Sequence, residues 1–347
     1  MGAINNFTEV NKTLSLTLPL AEMSVITAFY LLLVLAALIG NSLILTAFTV
    51  NKKLRTITHT LVMGLAVSDM LVGLVSIPCW MFIDLSQYKG KPKNNDVTRF
   101  YSAFDIFIGI ASILQLTCIS MERCHAVVRP IKHRTLSKHV FYIMIAFPWF
   151  YAALMGFLHP LQYQTWESSF TILMSTTGFF IPLMIIIIAY FTIYRYMRRK
   201  SDIIQRHSVA QKRLINKELK LSITLAFITS IFVITWLPLF VVTFIATYSL
   251  GTLGAGITKI RLVKFVKWMH YSNSAINPYI YSYRNEGIRT TLKVILCRAF
   301  CREYLPVIHK QGSAMTTITW KSLSSKSRKL RNSYEETHFR IEMCSSV

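Results

Sequence analysis

Charge is scarce in this chain, and acid is scarcer than base. Asp and Glu number 15 against 38 Lys and Arg in 347 residues, and all charged residues together make up 15%. With 53% hydrophobic residues and a mean hydropathy of +0.45, the chain is too apolar for an ordinary soluble domain. Cysteine is also sparse. Cys79 ends the second apolar run, Cys118 and Cys124 lie in the third, and Cys297, Cys301 and Cys344 follow the last. None of these makes an even extracellular set, so a disulfide framework is not expected. Metal-ligand spacings, a nucleophile elbow and a phosphate loop are absent, which argues against an enzyme. The first two dozen residues lack the basic n-region and cleavage site of a signal peptide, so the first apolar run is expected to target the chain.

Seven apolar runs long enough to cross a bilayer are present, over residues 25–50, 58–80, 98–127, 140–158, 170–196, 219–248 and 262–283. The net charge of +23 would suggest nucleic acid in a soluble protein. The bases instead cluster in alternate loops: Lys52, Lys53 and Arg55; Arg129, Lys132, Arg134 and Lys138; Arg195 to Lys220; and the tail after Tyr283. The positive-inside rule makes those loops cytoplasmic and the N-terminus extracellular, with the bases facing anionic lipid and no nucleic-acid partner. Lys259, Arg261, Lys264 and Lys267 break the pattern, since they fall on the outer side.

The third run is the organising element. Asp105 and Arg123 are eighteen residues apart, five whole turns, so they share a helix face about 27 Å apart, close to the bilayer thickness. Ionisable groups inside a span carry function by default. The same spacing separates Glu218 from Trp236 in the sixth run, which makes Arg123 and Glu218 ion-pair partners across the inner mouth. Asp69 in the second run needs partners at its depth, and Ser112, Asn273, Ser274 and Asn277 are available. Pro182, Pro238 and Pro278 each free a carbonyl inside a helix. Trp268 and Tyr271 are one turn apart and are expected to face one cavity. In the fifth run Met174-Ser175-Thr176-Thr177-Gly178 offers hydroxyls that can equally bond back to their own helix, and Tyr190 lies near the inner end.

Residues 284–302 form a basic amphipathic stretch read as a helix on the inner leaflet, with Cys297 and Cys301 open to palmitoylation. Residues 303–347 are read as a disordered cytoplasmic tail ending in Ser345-Ser346-Val347, a pattern that a PDZ domain takes as an added strand. Residues 1–24 form an extracellular tail with glycosylation acceptors at Asn6 and Asn11. The expected fold is an all-α membrane protein, a seven-transmembrane helix bundle over 25–283 with a short amphipathic eighth helix.

Asn41, Leu65-Ala66 with Asp69, Glu122-Arg123, Pro182 with Tyr190, Trp236-Leu237-Pro238 and Asn277-Pro278-Tyr279-Ile280-Tyr281 together resemble the rhodopsin-like (class A) G-protein-coupled receptors, across all seven runs. A second layer resembles the biogenic-amine receptors. It implies that Asp105 pairs with a ligand ammonium and that Tyr271 hydrogen-bonds that carboxylate. Phe240 and Trp268 then belong to an aromatic cage, with Trp236 at its floor. Thr98 stands where the family has a cysteine, Glu122-Arg123-Cys124 replaces Asp-Arg-Tyr, and Leu239 replaces a second phenylalanine. Met174 and Gly178 stand where catecholamine receptors place serines, leaving Ser175 as the hydroxyl contact.

The resemblance implies a plasma-membrane receptor, not an enzyme, that binds a small cationic ligand and activates heterotrimeric G proteins, with arrestin and receptor kinases as further partners. Arg123, Glu122, Glu218, Tyr190, Pro238, Asn277, Pro278 and Tyr281 would form the switch. No cofactor is expected beyond an allosteric sodium ion at Asp69, Ser112, Asn273, Ser274 and Asn277. In a rival reading Lys264 or Lys267 satisfies Asp105 internally and the ligand is a peptide, lipid or anion. A transporter using Asp69 and Asp105 as coupling carboxylates would show repeated halves and broken helices, and neither pattern is visible.

Overall fold

The structure is a computed structural model. It describes residues 18–54, 57–92, 94–164, 167–205, 209–248, 256–300, 304–311 and 315–322, with the backbone alone over the described parts of 200–221 and beyond residue 297. The helices are α1 (Leu20–Val50), α2 (Ile57–Tyr88), α3 (Asn95–Val128) and α4 (Lys138–Leu158). They continue with α5 (Glu167–Ser175, Thr176–Phe180 and Ile181–Gln205 in series), α6 (Val209–Tyr248), α7 (Ile257–Arg284) and α8 (Glu286–Phe300). Each of α1 to α6 holds a segment long and apolar enough to cross a membrane. The more polar α7 carries Lys259, Arg261, Lys264 and Lys267 in its outer half.

Large apolar side chains such as Leu32, Phe150, Phe157 and Ile188 point outward, while Asn41, Asp69, Asp105, Gln115, Glu122 and Arg123 are buried. That arrangement suits a lipid surround, where polar groups must find partners inside the bundle. The core joins Tyr30 and Leu33 of α1, Val72 and Ile77 of α2, Ile108 of α3, and Tyr271 and Ala275 of α7. A second cluster packs Ile110, Ala111 and Leu114 of α3 against Ala152 and Met155 of α4 and Phe170 of α5.

The prolines shape the helices they interrupt. Ahead of Pro78 and Pro182 the hydrogen-bonding pattern widens into π-helical turns, Val72–Ser76 and Thr176–Phe180, because proline offers no N–H to the carbonyl four residues back. In α7, Pro278 frees the Ser274 carbonyl, and Asn41 of α1 donates its Nδ2 to that oxygen at 3.1 Å. A Cβ on Gly40, one residue earlier, would lie 2.9 Å from the Pro278 ring, so close approach here requires glycine.

Two expectations change. The gap between the second and third apolar runs is shorter than their bounds of 80 and 98 suggest, since α2 runs to Tyr88 and α3 starts at Asn95, capped by Asn94, whose Oδ1 accepts from Val97 N at 3.1 Å. The tail read as disordered contains a two-stranded antiparallel hairpin, Tyr304–Gln311 paired with Met315–Ser322 in the register Tyr304↔Ser322. Val307, Ile308 and the run Thr316-Thr317-Ile318-Thr319 supply the β-branched residues that favour extended backbone.

Candidate functional site

Asp105 is buried on α3 and is already in an ion pair. Lys267 of α7 places its Nζ 2.8 Å from Asp105 Oδ2. The same ammonium lies 5.4 Å from the Trp80 ring centroid, 5.1 Å from Tyr101 and 5.7 Å from Tyr271, all within cation–π range. Tyr101, one turn before Asp105, donates its hydroxyl to Oδ2 at 3.3 Å, and the Tyr101 and Tyr271 hydroxyls are 2.6 Å apart. Tyr271 therefore reaches the carboxylate through Tyr101 and not directly as expected, because Tyr101 sits one helical turn outward and fills the gap.

The remaining carboxylate oxygen leads inward. His270 Nε2 is 3.7 Å from Asp105 Oδ1, and the His270 ring meets Trp236 edge-on with centroids 4.1 Å apart. Trp236 stacks on Phe232 at 5.1 Å and on Phe240 at 6.0 Å, and Phe240 stacks on Phe179 at 4.1 Å. The Trp236 ring passes over Gly109 of α3, where a Cβ would stand 2.5 Å from Cη2. Asp105 Oδ1, both His270 ring nitrogens, Trp236 Nε1 and the fully buried Ser175 Oγ have no hydrogen-bond partner among the described residues.

Trp268 is not part of this group. It is 37% exposed and packs edge-on against Phe29 of α1 at 4.8 Å, with Phe265 at 5.8 Å. A three-residue step turns a helix by roughly 300°, so Trp268 and Tyr271 are neighbours on a helix whose face diverges toward α1. Trp80 takes the place in the cage that the sequence reading assigned to Trp268. Its indole donates Nε1 to the Tyr30 hydroxyl at 3.1 Å. Trp80, Tyr101 and His270 were missed by sequence reasoning; a signal existed only in the one-turn spacing of Tyr101 from Asp105.

Three of the four outer bases of α7 are each matched with an acid on another helix. Arg261 Nη2 pairs with Glu22 Oε2 of α1 at 2.8 Å, Lys264 pairs with Asp84 of α2, and Lys267 pairs with Asp105 of α3. The three bases follow at intervals of three residues, so they descend one face of α7. This ladder accounts for Arg261, Lys264 and Lys267 among the bases that break the positive-inside pattern, since they neutralise buried or half-buried acids. It also separates the rival's two lysines: Lys264 is committed to Asp84, and Lys267 is the lysine that holds Asp105.

Deeper in the bundle, Asn277 Nδ2 donates to Asp69 Oδ2 at 2.9 Å. Ser112 Oγ lies 3.0 Å from both Ser68 Oγ and the Ile108 carbonyl. Ser274 lends its carbonyl to Asn41. Asp69 Oδ1 and Asn273 Oδ1 are buried acceptors without a partner among the described residues, which is the donor set a small cation would use.

At the inner end, Glu122 holds Arg123 through both oxygens, to Nε and Nη2, each at 2.6 Å. Thr58 of α2 donates to Glu122 Oε2 at 3.0 Å and accepts from Arg123 Nη2. His133, on the short helix Pro130–Arg134, lies 3.1 Å from Glu122 Oε1. The Glu218 side chain lies outside the described residues, as do Asn6, Asn11 and Cys301. Tyr190 of α5 bridges Ser120 of α3 at 3.3 Å and Thr229 of α6 at 3.5 Å. Pro238 and Pro278 lie inside α6 and α7, and the Tyr281 hydroxyl is buried with no partner among the described residues. Cys297 on α8 is a half-buried free thiol.

The family described as 7 transmembrane receptor (rhodopsin family) matches residues 40–281. The Octopamine receptor beta-1R of Drosophila melanogaster is 30% identical over 316 residues, covering 77% of this chain and 60% of that receptor. The Histamine H2 receptor of Homo sapiens is 28% identical over 294 residues, with 78% and 79% covered. The D(1C) dopamine receptor of Xenopus laevis is 30% identical over 318 residues, with 78% and 67% covered. The chain thus spans less than two thirds of the fly receptor and more of the others.

Proposed function

The chain belongs to the rhodopsin family of seven-transmembrane receptors, a multi-pass membrane protein, and on that premise we propose that it binds a small cationic ligand at Asp105 and activates a heterotrimeric G protein. The observation that carries this reading is the ammonium already present at Asp105. Lys267 Nζ sits 2.8 Å from the carboxylate among the Trp80, Tyr101 and Tyr271 rings, so the site has the chemistry of an ammonium receptor. The relatives are named for octopamine, histamine and dopamine, each an amine.

Activation follows from competition. A ligand ammonium that takes Asp105 releases Lys267 and cuts the tie between α3 and α7. His270, between Asp105 and Trp236, passes the change to Trp236, and α6 turns at Pro238. At the inner mouth, Arg123 parts from Glu122, Thr58 and Glu218 as the cleft for the G protein opens, while Tyr190, Asn277, Pro278 and Tyr281 repack. Asp69, Ser112, Asn273, Ser274 and Asn277 would hold a sodium ion, with the unpartnered oxygens of Asp69 and Asn273 as its acceptors, and such an ion would favour the inactive state. The plasma membrane with the N-terminus outside, glycans at Asn6 and Asn11, palmitoylation at Cys297 and Cys301, and arrestin, receptor-kinase and PDZ contacts belong to the same reading.

A second reading is favoured by the same ion pair: Lys267 locks Asp105 for structural purposes and the ligand is a peptide, lipid or anion bound elsewhere in the outer mouth. An amine panel applied to cells expressing the full chain, read by second messengers, separates the two. The first reading expects responses that vanish in Asp105→Asn at equal surface expression. Potency untouched by that substitution selects the second.

A further inference from the structure

A simple amine leaves an imbalance at this site. If its ammonium displaced Lys267 Nζ, Asp105 would stay neutralised, but Lys267 would be left beside a second cation in a partly buried setting where like charges repel strongly. Among the described residues, the other two acids of this ladder cannot take the lysine over. Asp84 is held by Lys264 and Glu22 by Arg261, the other two rungs of the same ladder. A donor, by contrast, is to spare: Trp236 Nε1 has no hydrogen-bond partner among the described residues, and the His270 ring nitrogens have none closer than Asp105 Oδ1 at 3.7 Å. What the site lacks is a negative charge that arrives together with the positive one.

We propose that the ligand is a zwitterion of the amino-acid type, whose ammonium replaces Lys267 Nζ at Asp105 while its carboxylate pairs with the displaced Lys267. The proposal rests on the reading that Asp105 receives a ligand ammonium, and adds the anionic half. Because the two receptor charges start 2.8 Å apart, the ligand's charges must lie within a few bonds of each other, as they do across one carbon of an α-amino acid. The stacked floor of Trp236, Phe240 and Phe179 suits an aromatic or apolar side chain. Exchange of one ion pair for two keeps the net charge of the site unchanged, which lowers the cost of breaking the α3–α7 tie.

The test uses full-length receptor in cells with second-messenger readout and surface labelling. Each amino acid is paired with its decarboxylated amine: phenylalanine with phenethylamine, tyrosine with tyramine, tryptophan with tryptamine, histidine with histamine. On the unaltered receptor at least one amino acid is expected to exceed its amine by about tenfold or more, the size of one charge-assisted bond. Lys267→Met reverses that preference and Lys267→Arg preserves it. Should neither variant reach the surface, the methyl ester of the active amino acid serves on the unaltered receptor, with a similar tenfold loss expected. Amines that outperform every amino acid, with responses still dependent on Asp105, overturn the zwitterion and leave the amine reading standing. Responses indifferent to Asp105→Asn overturn both, and silence toward every amino acid overturns the proposal.

Discussion

Both ends of α3 bury an acid beside a base, but the two pairs are wired differently. At the outer end Asp105 and Lys267 come from helices 162 residues apart, so breaking the pair loosens α3 from α7. At the inner end Glu122 and Arg123 are consecutive on one helix, and among the described residues Thr58 and His133 tie the pair to neighbouring segments. The outer pair is therefore a joint between two helices. The inner one is a clasp, whose release depends on what the surrounding helices do. The contrast sets a joint between helices at one end of α3 against a clasp within the helix at the other.

The largest effect should come from the outer joint. Lys267→Met leaves the buried Asp105 carboxylate without its cation and should cost about 3–5 kcal/mol in the unfolding of purified receptor, while the double variant with Asp105→Asn recovers most of it. Lys264→Met, one rung further out, isolates Asp84 and should cost a similar amount. If either double variant is no more stable than its single lysine variant, the pairs do not act as units and the contrast fails.

Next is the tie between α1 and α7. Asn41→Ala removes the donor that satisfies the carbonyl freed by Pro278, with an expected loss of about 1–3 kcal/mol in the same unfolding measurement. A neutral result would mean that water replaces the amide.

At the inner clasp, His133→Ala should lower stability by about 1 kcal/mol and raise basal signalling, since Glu122 then loses one of the contacts that hold it in place beside Arg123. Unchanged basal output would place His133 outside the switch. The smallest effect belongs to the outermost rung. Arg261→Ala breaks a solvent-exposed pair with Glu22 and should leave unfolding and potency unaltered within error. A clear loss there would mean that the ladder works as one cooperative chain.

Much of this was legible along the chain. Asp105, Arg123 and Asp69 stood out because charge within an apolar run has few explanations, and Pro182, Pro238 and Pro278 announced their breaks by chemistry alone. Tyr101 and Trp80 did not stand out, since aromatic residues near the ends of spans are ordinary. Trp268 was misplaced because a one-turn spacing gives neighbours on a helix without saying toward which partner helix that face looks. The rival reading offered Lys264 and Lys267 as equals, and only the descent of three bases past three different helices separates them.

By itself the sequence determined the class of fold, the seven apolar runs and the depth of each charge, because hydrophobic length and residue spacing along one helix are local quantities. The tertiary structure decided the partners: that Lys267 and not Lys264 reaches Asp105, that Tyr271 acts through Tyr101, and that Trp80 completes the cage. Pairing between helices depends on their rotation and tilt, which the packing of the whole bundle sets and no single stretch of chain encodes.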